Sequence, residues 1–139
     1  MTKFKYLDEV LVIKKQTDPL AQKVGEPINS YYTDMFWLPI LGPSSVAFLR
    51  ICSWFLTQDD QFEIQTKTLS NYLGISLKIL PKVIKRLMYF DAAFSSNIYN
   101  DTLSHLWIRT YLYPLNSALL SLLQPELLTH HQNYIAAKH

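Results

Sequence analysis

The chain has little cysteine, little glycine and no long apolar run. Of its 139 residues one is a cysteine, Cys52, and three are glycines. A single cysteine excludes an internal disulfide, and its place in the apolar segment 46–56 predicts a buried structural thiol in a reducing, cytoplasmic setting. No segment reaches the roughly 18 consecutive apolar residues of a membrane-spanning helix, and no signal peptide is visible. We therefore expect no contact with a membrane.

Motifs of catalysis and of cofactor or metal binding are also missing. The sequence contains no glycine-rich phosphate loop, no nucleophile motif and no metal-ligand spacing. His130, His131 and His139 cluster near the C-terminus, but adjacent histidines point to different faces of a helix, and no nearby carboxylate or thiol completes a ligand set. We therefore expect a protein that is not an enzyme and that holds neither a cofactor nor a metal.

The composition is that of a folded chain with a small positive charge. Hydrophobic residues make up 49% of the sequence and the net charge is +2, so the chain can bury a sizeable core without metal or disulfide support. Turn-forming residues and changes of composition divide it into three predicted units. These are an N-terminal arm with a possible short strand at 1–30, a winged-helix domain at 31–115 and a C-terminal helical extension at 116–139.

The segment 78–90 has the clearest physical pattern. Its basic residues fall on one face of a helix, namely Lys78, Lys82, Lys85 and Arg86. The opposite face is apolar, so the helix can bury one stripe and leave a positive ridge in solvent. Between residues 64 and 90 there are five Lys or Arg and no Asp or Glu. Such a ridge can neutralise phosphates, although an ordinary solvated lysine face has the same pattern.

The segments around this helix follow the order of a winged helix. Thr66 can cap a preceding helix and Gly74 can end it, which gives a helix-turn-helix pair. Segments 93–98 and 106–112 alternate as two strands around the turn formers Asn100 and Asp101. The predicted fold class is therefore α+β, mainly helical: a winged helix-turn-helix domain with an N-terminal arm and C-terminal helices. The wing tip at 95–104 carries no Lys or Arg, which counts against a contact with nucleic acid.

Two other surfaces could bind a protein. Side chains on one face of the second predicted strand are candidates for an interface, namely Trp107, Arg109, Tyr111 and Tyr113, because Trp, Tyr and Arg are enriched at binding hot spots. The C-terminal helices or the N-terminal arm could equally cover this face. The leucine-rich segment 116–128 needs a cover as well, and it either packs on the same chain or forms a homodimer contact.

Residues 36–43 read Phe-Trp-Leu-Pro-Ile-Leu-Gly-Pro, and shorter matches accompany them along the chain. These are Asp18-Pro19, Gly25, Tyr32, Leu49-Arg50, Arg86-Leu87, Phe90, Pro114-Leu115, Pro125 and His131. Together they resemble a group of uncharacterised actinobacterial proteins that look like winged helices. The resemblance spans nearly the whole chain and implies a cytoplasmic bacterial protein, with no established activity. The chain departs from the group in being rich in lysine where the group is rich in arginine.

Two classes of function follow from these patterns. In the first, a DNA-binding winged-helix protein acts as a transcriptional regulator or accessory factor. Lys82, Lys85 and Arg86 would contact phosphates or base edges, while Lys67 and Lys78 would anchor the DNA backbone. In the second, the winged helix is a protein–protein interaction module that does not bind DNA. One continuous basic face would favour the first, and an exposed apolar patch the second.

Overall fold

A mixed sheet with helices packed on it forms the framework of the protein in the computed structural model, which describes residues 3–95 and 98–138. The strands are β1 (Tyr6–Gln16), β2 (Glu26–Pro27), β3 (Gln61–Gln65), β4 (Ala93–Phe94), β5 (Ile98–Tyr99), β6 (Thr102–Arg109) and β7 (Tyr111–Leu112). The helices are α1 (Pro19–Val24), α2 (Leu38–Leu41), α3 (Pro43–Phe55), α4 (Thr66–Leu73), α5 (Leu80–Tyr89), α6 (Ser117–Leu120) and α7 (Pro125–Lys138), and Thr33–Trp37 is a π-helical turn. Within the described residues, no helix is long and apolar enough to cross a membrane.

The N-terminal strand β1 lies at the centre of the larger sheet. Its neighbours are β3, which runs antiparallel to it, and β6, which runs parallel to it. Strands β4 and β5 both pair with β6 in antiparallel fashion. Leu11 and Ile13 of β1 are fully buried, so the strand is part of the core. Between Leu7 and Val12 its register with β6 shifts, and the chain bulges there.

Helices α3, α4 and α5 bury their apolar faces around this sheet. Helix α3 packs on α5 and β6, while α4 packs on β1 and β3. The buried helical side chains include Phe48, Leu49, Cys52, Leu69, Leu80, Ile84 and Leu87. The buried thiol of Cys52 confirms the structural role expected for it, and burial raises its pKa. Gly74 ends α4 with φ of 67°, as its position in the sequence indicated.

The C-terminal helix α7 covers the aromatic segment that precedes α2. The ring of Phe36 lies 4.8 Å from the His131 ring and 5.0 Å from the Tyr32 ring, measured between centroids. Several leucines of the C-terminal segment also pack against the core, namely Leu119, Leu120, Leu123, Leu127 and Leu128. Leu122 stays exposed. The chain itself therefore covers most of the leucine-rich segment, and a homodimer contact there stays a prediction.

The prediction of a mainly helical winged helix with an N-terminal arm is wrong. The fold is mixed α+β, and the segment expected in the arm supplies the central strand of a five-stranded sheet. A winged helix would place β3 beside the wing, whereas here it pairs with β1. The alternation of apolar residues in β1 indicates which face of the strand is buried but not which strands are its neighbours. The sequence therefore did not predict that β1 lies between β3 and β6. The division of the chain at residues 30 and 115 stays a prediction.

Candidate nucleic-acid interface

Helix α5 presents a row of basic side chains because its apolar face is held in the core. Leu80, Val83, Ile84 and Leu87 are buried, and Pro81 occupies the first turn, where its missing N–H costs no hydrogen bond. On the outer side Lys82, Lys85 and Arg86 are exposed, and Lys78 is exposed in the turn before the helix. The amphipathic pattern in the sequence is confirmed, and these basic residues lie on the surface.

Arg86 makes side-chain hydrogen bonds to another part of the chain, which the other three do not make among the described contacts. Its Nε donates a hydrogen bond of 3.0 Å to the carbonyl oxygen of Ile40, and a terminal nitrogen donates to the same oxygen. The guanidinium also lies 5.8 Å from the centre of the Phe90 ring. Arg86 therefore holds α5 against the end of α2, and the contact with nucleic acid expected of it stays a prediction.

The N-terminal segment brings two further lysines to α5. Lys3 and Lys5 line a cavity of about 560 Å³ together with Lys85. The other lining residues are Phe4, Met88, Tyr89 and Asp101. The ammonium group of Lys85 lies 5.1 Å from the centre of the buried Phe4 ring. Lys3 and Lys5 were not predicted as site residues, because nothing in the sequence shows that two lysines near the N-terminus lie beside α5 until the position of β1 is known.

Lys67 belongs to the neighbouring surface. It lines a second cavity, of about 570 Å³, that Lys5 also borders. The bulge of β1 places Asp8 and Glu9 in the same lining, so this cavity is less positive than the first. Thr66 at the start of α4 donates a hydrogen bond to the carbonyl oxygen of Asp8 and fixes the bulge. Through Lys5, the basic surface continues from α5 to α4.

The hairpin tip expected to act as a wing is docked on this N-terminal segment. Asn100 and Asp101 have φ of 52° and 60°, the left-handed conformation of a tight hairpin turn. The carbonyl oxygen of Asp101 accepts hydrogen bonds from the backbone N–H groups of Lys5 at 2.8 Å and Tyr6 at 3.0 Å. The tip thus positions Lys5 beside α5. Residues 96 and 97 of the expected tip lie outside the described residues.

The predicted protein-interface residues are half-buried, and two of them make internal contacts with Asp18. Arg109 NH1 lies 2.6 Å from Asp18 Oδ2, and the Tyr113 hydroxyl donates to the same oxygen at 2.7 Å. The ammonium nitrogen of Lys14 lies over the Trp107 ring, 4.7 Å from the centre of that ring. The N-terminal part of the chain therefore covers part of this strand face.

The contacts of Asp18 shift the pKa values of two groups. Hydrogen bonds from Tyr113 and Arg109 lower the pKa of Asp18 to about 2. The same carboxylate raises the pKa of Tyr113, because it accepts the hydroxyl proton. Asp18 also caps α1 by accepting from the N–H groups of Leu20 and Ala21. The cluster therefore anchors α1 on the sheet.

The histidines of α7 have aromatic partners. His130 Nε2 lies 2.6 Å from the Tyr31 hydroxyl, and His131 Nε2 lies 2.8 Å from the Tyr32 hydroxyl. Within residues 3–95 and 98–138, no group of three or more His, Cys, Asp or Glu side chains could hold a metal ion. His139, the third histidine of the cluster in the sequence, lies outside these residues.

An exposed aromatic surface on α3 was not expected from the sequence. Trp54 is 70% exposed, although apolar residues surround α3 almost completely, a pattern that predicts a helix central to the core. The Phe55 ring beside it stacks on Phe62 with centroids 4.8 Å apart, and Tyr72 of α4 is exposed at its edge. The continuous apolar pattern of α3 concealed this surface, because periodicity does not separate a buried apolar face from an exposed one.

The chain has no match among protein-family models, curated proteins or solved structures. The resemblance to actinobacterial proteins through residues 36–43 therefore stays a prediction from the sequence.

Proposed function

We propose that this protein binds DNA through the exposed basic surface of α5, as a transcriptional regulator or an accessory factor. The surface comprises Lys3, Lys5, Lys67, Lys78, Lys82, Lys85 and Arg86, and the name basic surface is kept for this set. The observation that carries the proposal is the convergence of Lys3 and Lys5 with Lys85 on one cavity. Lysines from two distant parts of the chain thus join one region, as binding to a phosphate backbone requires.

The distribution of charge supports the same proposal. The basic surface holds seven of the 13 Lys and Arg residues of a chain whose net charge is only +2. Residues 64–90 contain no carboxylate to oppose it. Asp8, Glu9 and Asp101 border the surface, so its potential is strongest along α5 itself. Lys82 and Lys85 are therefore the residues at which a loss of charge should weaken binding most.

The experiment is a titration of the purified protein with a random-sequence DNA duplex at several salt concentrations. Each lysine that contacts a phosphate contributes about 0.9 to the slope of log affinity against log salt. We expect the variant Lys82→Ala/Lys85→Ala to bind more weakly and with a shallower slope. Arg86 is left unchanged, because its replacement would also release α5 from Ile40.

A matched control removes two lysines elsewhere. Lys15 lies near the C-terminal end of β1, and Lys23 lies in α1, which follows that strand. The variant Lys15→Ala/Lys23→Ala has the same net charge as the test variant and should keep the wild-type slope. Equal losses in the two variants would indicate a general effect of charge, and negligible binding by the wild type near physiological salt would refute the proposal.

The exposed aromatic surface of α3 favours a second function, a protein–protein interaction module that does not bind DNA. Trp54 is 70% exposed and borders a shallow cavity of about 480 Å³ with Leu38, Arg50 and Ile51. Large exposed aromatic side chains are typical of interface hot spots. Substitution Trp54→Ala should then abolish binding of a protein partner, whereas Lys82→Ala/Lys85→Ala should leave that binding unchanged.

A further inference from the structure

We propose that the cavity between the N-terminal segment and α5 holds a nucleotide of an unpaired nucleic-acid strand. Its base would stack on Tyr89, and its phosphate would contact Lys3, Lys5 and Lys85. This inference rests on the proposed function and names the part of a nucleic acid that this site takes.

The shape and chemistry of the cavity fit such a ligand. Its volume of about 560 Å³ lies within the usual range of ligand pockets. Phe4, Met88 and Tyr89 supply apolar and aromatic walls, while three lysine side chains border the same space. Aromatic side chains beside lysines are what sites for single-stranded nucleic acid combine, because every base has a flat face and every linkage a negative charge.

Tyr89 has an aromatic side chain free to stack. It is 66% exposed and lies at the C-terminal end of α5. Its described ring contact is a T-shaped one with Phe90, at 4.9 Å and 84°, and a T-shaped contact covers at most one face of a ring, so the other face of Tyr89 is free of it. An exposed tyrosine beside Met88 and three lysines is a stacking surface that a base of a paired strand could not reach, because its faces are already stacked in the duplex.

Further tyrosines extend this surface along the sheet. Thr102 of β6 is paired with Tyr6 of β1 on one side and with Tyr99 of β5 on the other. Residues that are paired across neighbouring strands project from the same face of a sheet. They are 62% and 80% exposed. Tyr6 follows Lys5 directly and borders the adjoining cavity with Lys67. The fold thus interleaves aromatic and basic side chains that are far apart in the sequence.

Asp101 is the acidic residue in the lining of the cavity, and it has a place in the same arrangement. Its carbonyl oxygen accepts from the N–H groups of Lys5 and Tyr6, so the carboxylate is the acceptor group of Asp101 that remains for a ligand. A carboxylate accepts hydrogen bonds from the amino groups of adenine, cytosine or guanine, whereas it repels a phosphate. The base is therefore expected near Asp101, and the phosphate on the side of the lysines.

The test compares three fluorescently labelled probes of one sequence: a single strand, a blunt duplex and the duplex with a single-stranded overhang. We expect the overhang to strengthen binding relative to the blunt duplex. Tyr89→Ala should weaken binding of the single strand and the overhang about tenfold while leaving the blunt duplex unchanged. Tyr89→Phe, which keeps the ring, should retain wild-type affinity, and Tyr72→Ala serves as a control for the loss of another exposed tyrosine.

The outcomes separate this inference from the proposed function. If the blunt duplex binds with a lysine-dependent salt slope but the overhang adds nothing, the unpaired-nucleotide inference is refuted and DNA binding stands. If Tyr89→Ala weakens all three probes equally, the inference is refuted as well. If no probe binds, both fail. If free adenosine monophosphate binds as tightly as the single strand, the claim that the nucleotide belongs to a nucleic-acid strand is refuted.

Discussion

Replacement of Tyr32 by phenylalanine should destabilise the protein more than the loss of one hydroxyl ordinarily does. The side chain is 1% exposed, and its hydroxyl joins two parts of the chain. It accepts a hydrogen bond of 2.9 Å from the N–H of Leu115 and lies 2.8 Å from His131 Nε2. The hydroxyl accepts from Leu115 with one lone pair, and its hydrogen and second lone pair remain for His131 Nε2, which accepts or donates according to the tautomer of the ring.

The expected cost follows from the two partners that Tyr32→Phe leaves behind. A buried polar group without a partner costs about 1–3 kcal/mol. With Leu115 N–H and His131 Nε2 both deprived, the free energy of unfolding should fall by about 2–4 kcal/mol. Urea unfolding of a small domain has a slope of about 2 kcal/mol per M, so the midpoint should fall by about 1–2 M.

Tyr31→Phe is a matched control in the same assay. Its hydroxyl lies 2.6 Å from His130 Nε2, but Tyr31 is 49% exposed, so water can replace the lost partner. The free energy of unfolding of this variant should stay within about 0.5 kcal/mol of wild type. Equal, small effects of Tyr31→Phe and Tyr32→Phe would refute the conclusion that α7 is anchored through a buried hydrogen-bonded pair.

Three other properties can be measured on the folded protein. Gly25→Ala should lower the thermal midpoint, with a cost of about 1–3 kcal/mol, because a Cβ there would lie 2.4 Å from the Leu112 carbonyl oxygen; an unchanged midpoint would contradict this contact. Burial lowers the pKa of His131 from 6.5, so its stabilising contribution is complete above pH 6.5 and is lost as the pH falls through the folded value. Wild type should therefore lose stability relative to His131→Leu as the pH falls below 6.5, and parallel losses would count against a buried neutral histidine. Cys52 should react with a thiol reagent only after unfolding, and rapid modification of the native protein would show that the thiol is accessible.

The sequence was sufficient where local pattern decides the structure. The spacing of apolar and basic residues in 78–90 predicts α5 and its exposed lysines, and Gly74 marks the end of α4. The alternation of Leu106 and Ile108 with Trp107 likewise predicts the buried face of β6, and both aliphatic side chains are fully buried. In each case the information lies within a few turns or residues of chain.

The sequence was insufficient where distant segments meet. The parallel pairing of β1 with β6 joins residues about a hundred positions apart, and no local signal identifies that partner. The candidate site depends on the same pairing, because Lys3 and Lys5 reach Lys85 only through it. Arg86 was predicted correctly as part of the basic face of the helix, but its hydrogen bond to Ile40 could be identified only from the structure.

The most direct measurement is a titration of isotopically labelled protein with DNA, followed through its backbone amide signals. We expect the largest changes of amide chemical shift in α5 (Leu80–Tyr89) and around Lys5, and none on the α3 surface around Trp54. Changes that concentrate at Trp54 would instead place the contact on the aromatic surface. A spectrum that DNA leaves unchanged would contradict the central claim that the basic surface binds DNA.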